Sequence, residues 1–380
     1  MSDAAKPSAS SESPEASRQA FGELLALLQE IDQRYLSADN RVGSPAQLAQ
    51  GHRFLMHALG TGLDMFFDAD PLRPQFRRTL WAGRKAFGDS PDTIYYYAVI
   101  DPAARYRIRG NIAGAVYTSF TVEGGSIDQR FPPARVIATL NDSAFTADAD
   151  GNYELIASAE PQPGNWLRLE PDAGAIATRH YFERAQPIAD DPLLHSPLRI
   201  ERLGEPLPAA APSPGSVARD LRRLGNFLRG FTLDMMSNAA PKPPFMSMVP
   251  NQFNPPAGLQ PGGYGAADIV NLMAPYALQP EEALVIEGRL PPCRFANIML
   301  WNRYLQTYDY ANHPVSLNRQ QMHIDADGGF RVVIAHRDPG VPNWLDTTGE
   351  PFGLIYVRYI LPEAQPTAVA TRVVPVDSLA

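Results

Sequence analysis

One cysteine, Cys293, in 380 residues leaves no internal disulfide to form, which makes a reducing compartment the expected setting. Cys293 follows Pro291-Pro292 with nothing nearby in sequence to activate a thiol, so it reads as a small buried or rim residue and not as a nucleophile. Concentrated positive charge is also missing. With 33 Lys and Arg against 41 Asp and Glu, a formal charge of −8 and no basic run, the chain lacks the face that nucleic-acid phosphates require. No segment approaches the roughly 20 apolar residues of a membrane helix. The seven histidines form no His-x-His or His-x-x-x-His pair, so no local metal motif exists and metal dependence stays open. No nucleotide-phosphate loop, Gly-x-Ser-x-Gly elbow or kinase signature is present, and no cofactor is evident. Gly262-Gly263-Tyr264-Gly265 has no preceding strand and reads as a flexible turn.

What the chain does have is a repeated text. Asp148-Ala149-Asp150-Gly151-Asn152-Tyr153, then Asn165-Trp166-Leu167, recurs as Asp325-Ala326-Asp327-Gly328-Gly329-Phe330, then Asn343-Trp344-Leu345. The offsets are 177 and 178 residues, so one inserted residue reconciles them. Upstream, Ile108-Arg109-Gly110 answers Ile286-Glu287-Gly288 at an offset of 178. Two copies of one β unit are implied, with shared positions building the scaffold and divergent ones carrying function.

The periodicities fit that plan. Residues 1–17 are Ser/Ala/Pro/Glu-rich and read as a disordered leader, without the apolar core of a signal peptide; a cytoplasmic protein is expected. Residues 18–75 read as N-terminal helices: Phe21, Leu24, Leu28, Ile31 and Tyr35 recur at helical spacing, and Ser44-Pro45 open a second helix. Short β-prone runs separated by Gly, Pro, Asn and Asp mark a first β unit over 76–185 and a second over 265–365. Between them, 186–264 reads as a Pro-rich linker, a helix capped by Ser216 and a long loop able to serve as lid or pocket wall. Residues 366–380 read as a C-terminal tail. The fold class is mainly β with helical additions: two repeated antiparallel β-sandwich or jelly-roll-like units, N-terminal helices and a helix between the units.

Candidate site residues come from where the copies differ. The second unit carries Trp301-Asn302-Arg303-Tyr304, then Tyr308, His313 and Arg319, where the first is bland; rings and directed donors of this kind hold a flat or hydroxylated ligand. His336-Arg337 replaces Ala159-Glu160 at a strand end, giving an imidazole for proton transfer and a guanidinium for an anion. In the first unit Asp89 and Asp92 flank Pro91 in a turn just before Tyr95, from which a carboxylate can act as acid or base or cap the turn. The catalytic candidates are thus Asp92, His336 and Arg337, and the substrate-binding candidates Tyr95, Trp301, Asn302, Arg303, Tyr308, His313 and Arg319. Glu123, Asp128 and Arg130 are further candidates without a spacing signal.

The run Gly88-Asp89-Ser90-Pro91-Asp92 to Tyr95, Tyr106-Arg107-Ile108-Arg109-Gly110, and the Asp-Gly-x-Phe/Tyr and Asn-Trp-Leu elements resemble an uncharacterised bacterial family of duplicated β-sandwich proteins, the domain of unknown function of type 1214, related to type 1254. The resemblance spans about residues 47–361. It implies a jelly-roll-like fold and supplies no catalytic residues, and Ser90 stands where such families usually carry Asn. The residues favour an enzyme, hydrolase or lyase, acting on a small hydroxylated or aromatic metabolite of catabolism held at the junction of the two units. A non-catalytic protein binding a carbohydrate-like ligand or a partner protein is the alternative, and a homo-oligomer interface a third reading.

Overall fold

The computed structural model describes residues 13–125, 131, 135–205, 208, 211–235, 242–258, 266 and 268–379. The first unit contains β1 (Arg77–Arg78), β2 (Thr93–Val99), β3 (Tyr106–Asn111), β4 (Tyr117–Gly124), β5 (Arg135–Asn141), β6 (Asn152–Ser158), β7 (Trp166–Arg168), β8 (Ala173–Tyr181) and β9 (Leu198–Arg202). The second contains β10 (Ala257–Gly258), β11 (Ile269–Ala277), β12 (Glu282–Arg289), β13 (Phe295–Trp301), β14 (Ser316–Asn318), β15 (Gly329–Ala335), β16 (Trp344–Asp346), β17 (Phe352–Ile360) and β18 (Ala370–Pro375). The first unit pairs a five-stranded sheet, β1-β2-β8-β4-β5, with a four-stranded one, β7-β6-β3-β9. The second repeats both orders with every strand shifted by nine, as β10-β11-β17-β13-β14 and β16-β15-β12-β18. The duplication read from the text is therefore a duplication of topology.

The repeated motif has one structural job in both units. Asn165 Nδ2 donates to Thr146 O (2.8 Å) and Glu154 O (3.0 Å), and Asn343 Nδ2 donates to His323 O (2.8 Å) and Arg331 O (2.9 Å). The next residue donates its indole N–H to a backbone carbonyl, Trp166 to Ser158 O at 3.1 Å and Trp344 to Ala335 O at 3.2 Å. These bonds seat β7 against β6 and β16 against β15 as parallel pairs, which departs from the purely antiparallel pattern expected. Gly151 and Gly328, at φ +82° and +85°, close the preceding Asp-Gly turns in the left-handed region that glycine enters without Cβ strain.

Each unit buries its own core between its two sheets. Ala98, Ile108, Phe120, Leu155 and Ile176 fill the first, and Leu272, Ile286, Ile298, Val332 and Ile355 the second. Alternation along the strands then sends Tyr95, Tyr97 and Val99 of β2, and Leu354, Tyr356 and Arg358 of β17, to the opposite faces of the five-stranded sheets. Those faces are buried too, under the helices at Tyr97 and Val99 and elsewhere where the two units meet; β13 is buried at every position.

The helices complete one side. α1 (Glu15–Glu30) continues into a π turn over Ile31–Tyr35; α2 (Pro45–Phe66) starts at a capping box between Ser44 and Gln47; α3 (Pro214–Arg229) runs on into a second π turn. Phe54, Phe66, Leu224 and Phe227 pack with Tyr97, Val99 and Ala175 of the first unit. Gly62 lets α2 approach α3, since a Cβ there would lie 2.5 Å from Leu224. No helix among the described residues is long and apolar enough to cross a membrane.

Three readings are corrected by the chain path. α3 is capped by Ser213, whose hydroxyl accepts from Ser216 N, so Ser216 is the reciprocal partner inside the helix. The linker contains β9, which pairs with β3. The tail contains β18, which pairs with β12 at the equivalent edge of the second unit. Both strands are short and half-exposed edges, so neither shows the apolar alternation that marks a central strand. Residues 1–12 of the expected leader, Asp128, Arg130 and the Gly262–Gly265 turn lie outside the described residues.

Candidate functional site

The Gly88–Asp92 turn of the first unit is driven into the second as a clasp. Gly88 N donates to Leu305 O (2.8 Å), Trp301 Nε1 to Asp89 O (3.0 Å), and Thr307 N to the Asp89 carboxylate (2.9 Å). Asp92 accepts from Asn297 Nδ2 and Asn318 Nδ2, both at 2.8 Å, and is 2% exposed. Burial pushes the Asp92 carboxyl up to about 6, against the pull of those two amides. Around the clasp, Tyr117 and Asn141 donate to Asp268, and Arg319 pairs with Glu183 at 2.6 Å. Nearby, Lys85 Nζ donates to Thr307 O (3.0 Å) and Tyr308 O (2.6 Å) and lies 4.1 Å from the centroid of the Tyr310 ring.

Beside this seam the two five-stranded sheets part to leave a cavity of about 770 Å³. Tyr95, Tyr97, Ala177 and Arg179 line it from the first unit, and Asn271, Met273, Trp301, Leu354, Tyr356 and Arg358 from the second. The segment from Pro243 to Pro250 closes one side, with Met273 N donating to Phe245 O and Ser247 N to Met273 O. That segment belongs to the long loop read from the sequence, and it forms a wall. Trp301 stacks on Tyr356 with ring centroids 4.3 Å apart, and Tyr356 donates to Asn271 Oδ1 at 2.6 Å.

The charge on the wall is one-sided. Arg41, Arg179, Lys242, Arg303 and Arg358 line the cavity, and among the described residues no Asp or Glu does, in a chain whose net charge is −8. Arg303 donates to the carbonyls of Asn40 and Arg41, and Arg179 Nη1 donates to Thr121 Oγ1 at 2.9 Å. Glu123 stands behind Arg179 and Tyr97, 2% exposed, its carboxyl pushed up to about 7 by burial and held back by the Arg179 charge.

The structure brings three of the residues picked from the sequence to this cavity: Tyr95, Trp301 and Arg303. Asp92 is in the seam, on the outward face of the second unit's five-stranded sheet. His336 follows β15, in the four-stranded sheet across that sandwich, where it bonds Thr347 Oγ1 (2.7 Å) and Leu278 O. Asp92 and His336 are therefore not assembled as a proton-transfer pair. Arg337 is exposed and pairs with Asp377. Asn302 closes its own turn by accepting from Tyr304 N and Gln306 N. Tyr308 is buried against Tyr276, hydroxyl to hydroxyl at 2.8 Å. His313 pairs with Asp346 on the surface at 2.8 Å. Arg319 is spent on Glu183, Cys293 O and Arg294 O.

The polar density of 301–321 thus serves attachment to the clasp and to the N-terminal helices more than ligand contact. Among the described residues no group of three or more His, Cys, Asp or Glu is placed to hold a metal. Arg358, Tyr356 and Arg179 were missed as site residues. The signal was there for the first two, since Leu354, Tyr356 and Arg358 share one face of their strand.

The chain is similar to an uncharacterized protein from Burkholderia cenocepacia of known crystal structure, with 29% identity and a TM-score of 0.83 over 96% of this chain and 99% of that one. The VPA0106 protein from Vibrio parahaemolyticus aligns over 84% of this chain and 98% of its own, at 12% identity and a TM-score of 0.48. No functionally curated protein matches the chain. Residues 280–364 match the family described as "Protein of unknown function (DUF1214)". The second Asp-Gly turn and the Asn343-Trp344-Leu345 edge lie inside that stretch, so the second unit is what is similar to the DUF1214 type.

Proposed function

We propose that this chain binds a small, largely apolar organic molecule in the cavity between its two β units. The observation that carries this reading is an open-mouthed cavity of about 770 Å³, within the range of ligand sites, walled by the Trp301–Tyr356 stack and by methionines 246, 248 and 273. Flat rings offer stacking area at small entropic cost, and thioethers adapt to varied shapes. The neutral fluorophore N-phenyl-1-naphthylamine is the probe. We expect saturable, one-to-one binding to the intact chain, and at least a roughly tenfold loss in Ala177→Trp, whose new indole fills the space that Ala177 borders. Unsaturable binding, or binding indifferent to the substitution, defeats the reading.

One observation favours catalysis by hydrolysis or elimination as a second reading: Glu123, a buried carboxyl raised to about 7, sits directly behind two residues of the cavity wall. This reading moves proton transfer from Asp92 and His336 to Glu123. Incubation of the pure protein with candidate metabolites, followed by mass spectrometry, is expected to show conversion by the parent chain and ligand retention without conversion by Glu123→Gln. Conversion surviving in that variant removes Glu123 from the reaction.

A further inference from the structure

The cavity is a groove with a polar end. Phe352 and Arg358 lie six residues apart on one face of β17, about 20 Å along an extended strand. Leu354 and Tyr356 line the wall between them. Phe352 is 46% exposed and marks the rim, whereas Arg358 is 5% exposed and marks the inner end.

Arg358 differs from the other cations of the wall in what it lacks. Its Nε and Nη1 are buried without a hydrogen-bond partner, and among the described residues no carboxylate lies close enough to pair with it. The nearby Asp92 carboxylate is held by Asn297 and Asn318, as described above. The guanidinium shares a side-chain hydrogen bond with Tyr356 and lies over the rings of Tyr181 and Tyr356, at 5.4 and 5.1 Å from their centroids. An arginine keeps its charge when buried, and ring faces compensate part of the lost hydration but accept none of its fork of donors. A desolvated charge with two unpartnered donors, Nε and Nη1, at the inner end of the groove is a half-made ion pair.

We infer that the ligand of this groove is an organic monoanion, an apolar or aromatic body ending in one carboxylate, with the carboxylate on Arg358 and the body along Tyr356, Trp301 and Leu354 towards Phe352. This rests on the groove being a ligand site, as proposed above. The carboxylate supplies the acceptors that Nε and Nη1 lack, and the absence of Asp and Glu from the described wall spares it repulsion. Cations are disfavoured by the same wall, which carries arginines and, among the described residues, no Asp or Glu.

The test displaces N-phenyl-1-naphthylamine from the full chain with 2-naphthoate and with 2-naphthamide, two probes of one skeleton. We expect the carboxylate to bind roughly 10- to 100-fold more tightly than the amide, as a charge-assisted pair does over a neutral hydrogen bond. In Arg358→Met the ratio of the two probes' affinities is expected to fall to about one, whatever the variant's own affinity for the fluorophore. Equal displacement by both probes in the parent chain overturns the anion assignment while leaving the ligand site standing. A carboxylate preference that survives in Arg358→Met overturns the role of Arg358. Failure of the fluorophore to bind the parent chain fells the underlying reading instead. Should Arg358→Met not fold, the parent comparison decides the ligand class, and Arg358→Lys, which keeps charge but not the fork, is expected to lose most of the preference; full retention there overturns the role of Arg358.

Discussion

Gly88→Ala is expected to cost about 3 kcal/mol of unfolding free energy, a large effect for one methyl group. Two costs combine. Gly88 has φ +72°, where an L side chain is strained, and a Cβ there would stand 2.5 Å from the Trp301 ring. The ring has nowhere to retreat, since it is stacked on Tyr356 and its N–H is bonded to Asp89 O. Gly114 provides the control, with φ +79° but a Cβ that meets only the Arg184 side chain at 3.8 Å. Gly114→Ala should lose only about 1 kcal/mol, the backbone share alone. Urea unfolding of both variants checks this: equal losses would mean that the clasp does not grip Trp301.

Asn297→Leu carries the second large effect, and its size depends on pH. The substitution removes the amide donating to Asp92 Oδ2 and leaves a fully buried carboxyl with one of its two side-chain donors. Burial already raises the folded Asp92 to about 6 from the ordinary 3.8. A raised acid contributes stability that is complete below its unfolded pKa and lost as pH rises through the folded one. Removing a donor to the ionised form raises it further, so the variant's deficit is expected to be small near pH 4. It should grow to about 3 kcal/mol by roughly pH 8, where the buried carboxylate must stay charged. Thermal or urea unfolding across that window measures it; a deficit as large at pH 4 as at pH 8 would mean that the loss is of packing and not of charge solvation.

The sequence made the duplication legible because both copies spend the same residues on the same backbone groups. Asn165 and Asn343 each bridge a loop to a strand, and their tryptophans fix the next edge. Helix starts were legible to within a few residues from Ser and Pro placement. β9 and β18 were not, because edge strands with half their side chains in water lack the alternation that betrays a central strand.

The site was legible only in part, for a different reason. The cavity is formed by outward faces of two sheets from different units, and no local pattern states which faces will meet. Trp301 and Tyr95 were found by ring density, whereas His313 and Arg337 carried the right chemistry and face solvent with acidic neighbours. Arg358 shares a strand face with Leu354 and Tyr356, a pattern that marks a mixed face but does not say which sheet will cover it.

The clasp also sets an order of assembly. Its bonds join residues more than 200 positions apart, from Asn297 to Asp92 and from Trp301 to Asp89, whereas neighbouring strands within each unit close far shorter loops. Each sandwich can therefore mature before the two come together, with Asp92 still hydrated and ionised at neutral pH. Zipping the halves shut then dries that carboxyl and lifts it from the ordinary 3.8 to about 6, so docking takes up a proton, and is favoured by it, only in mildly acidic buffer between those values.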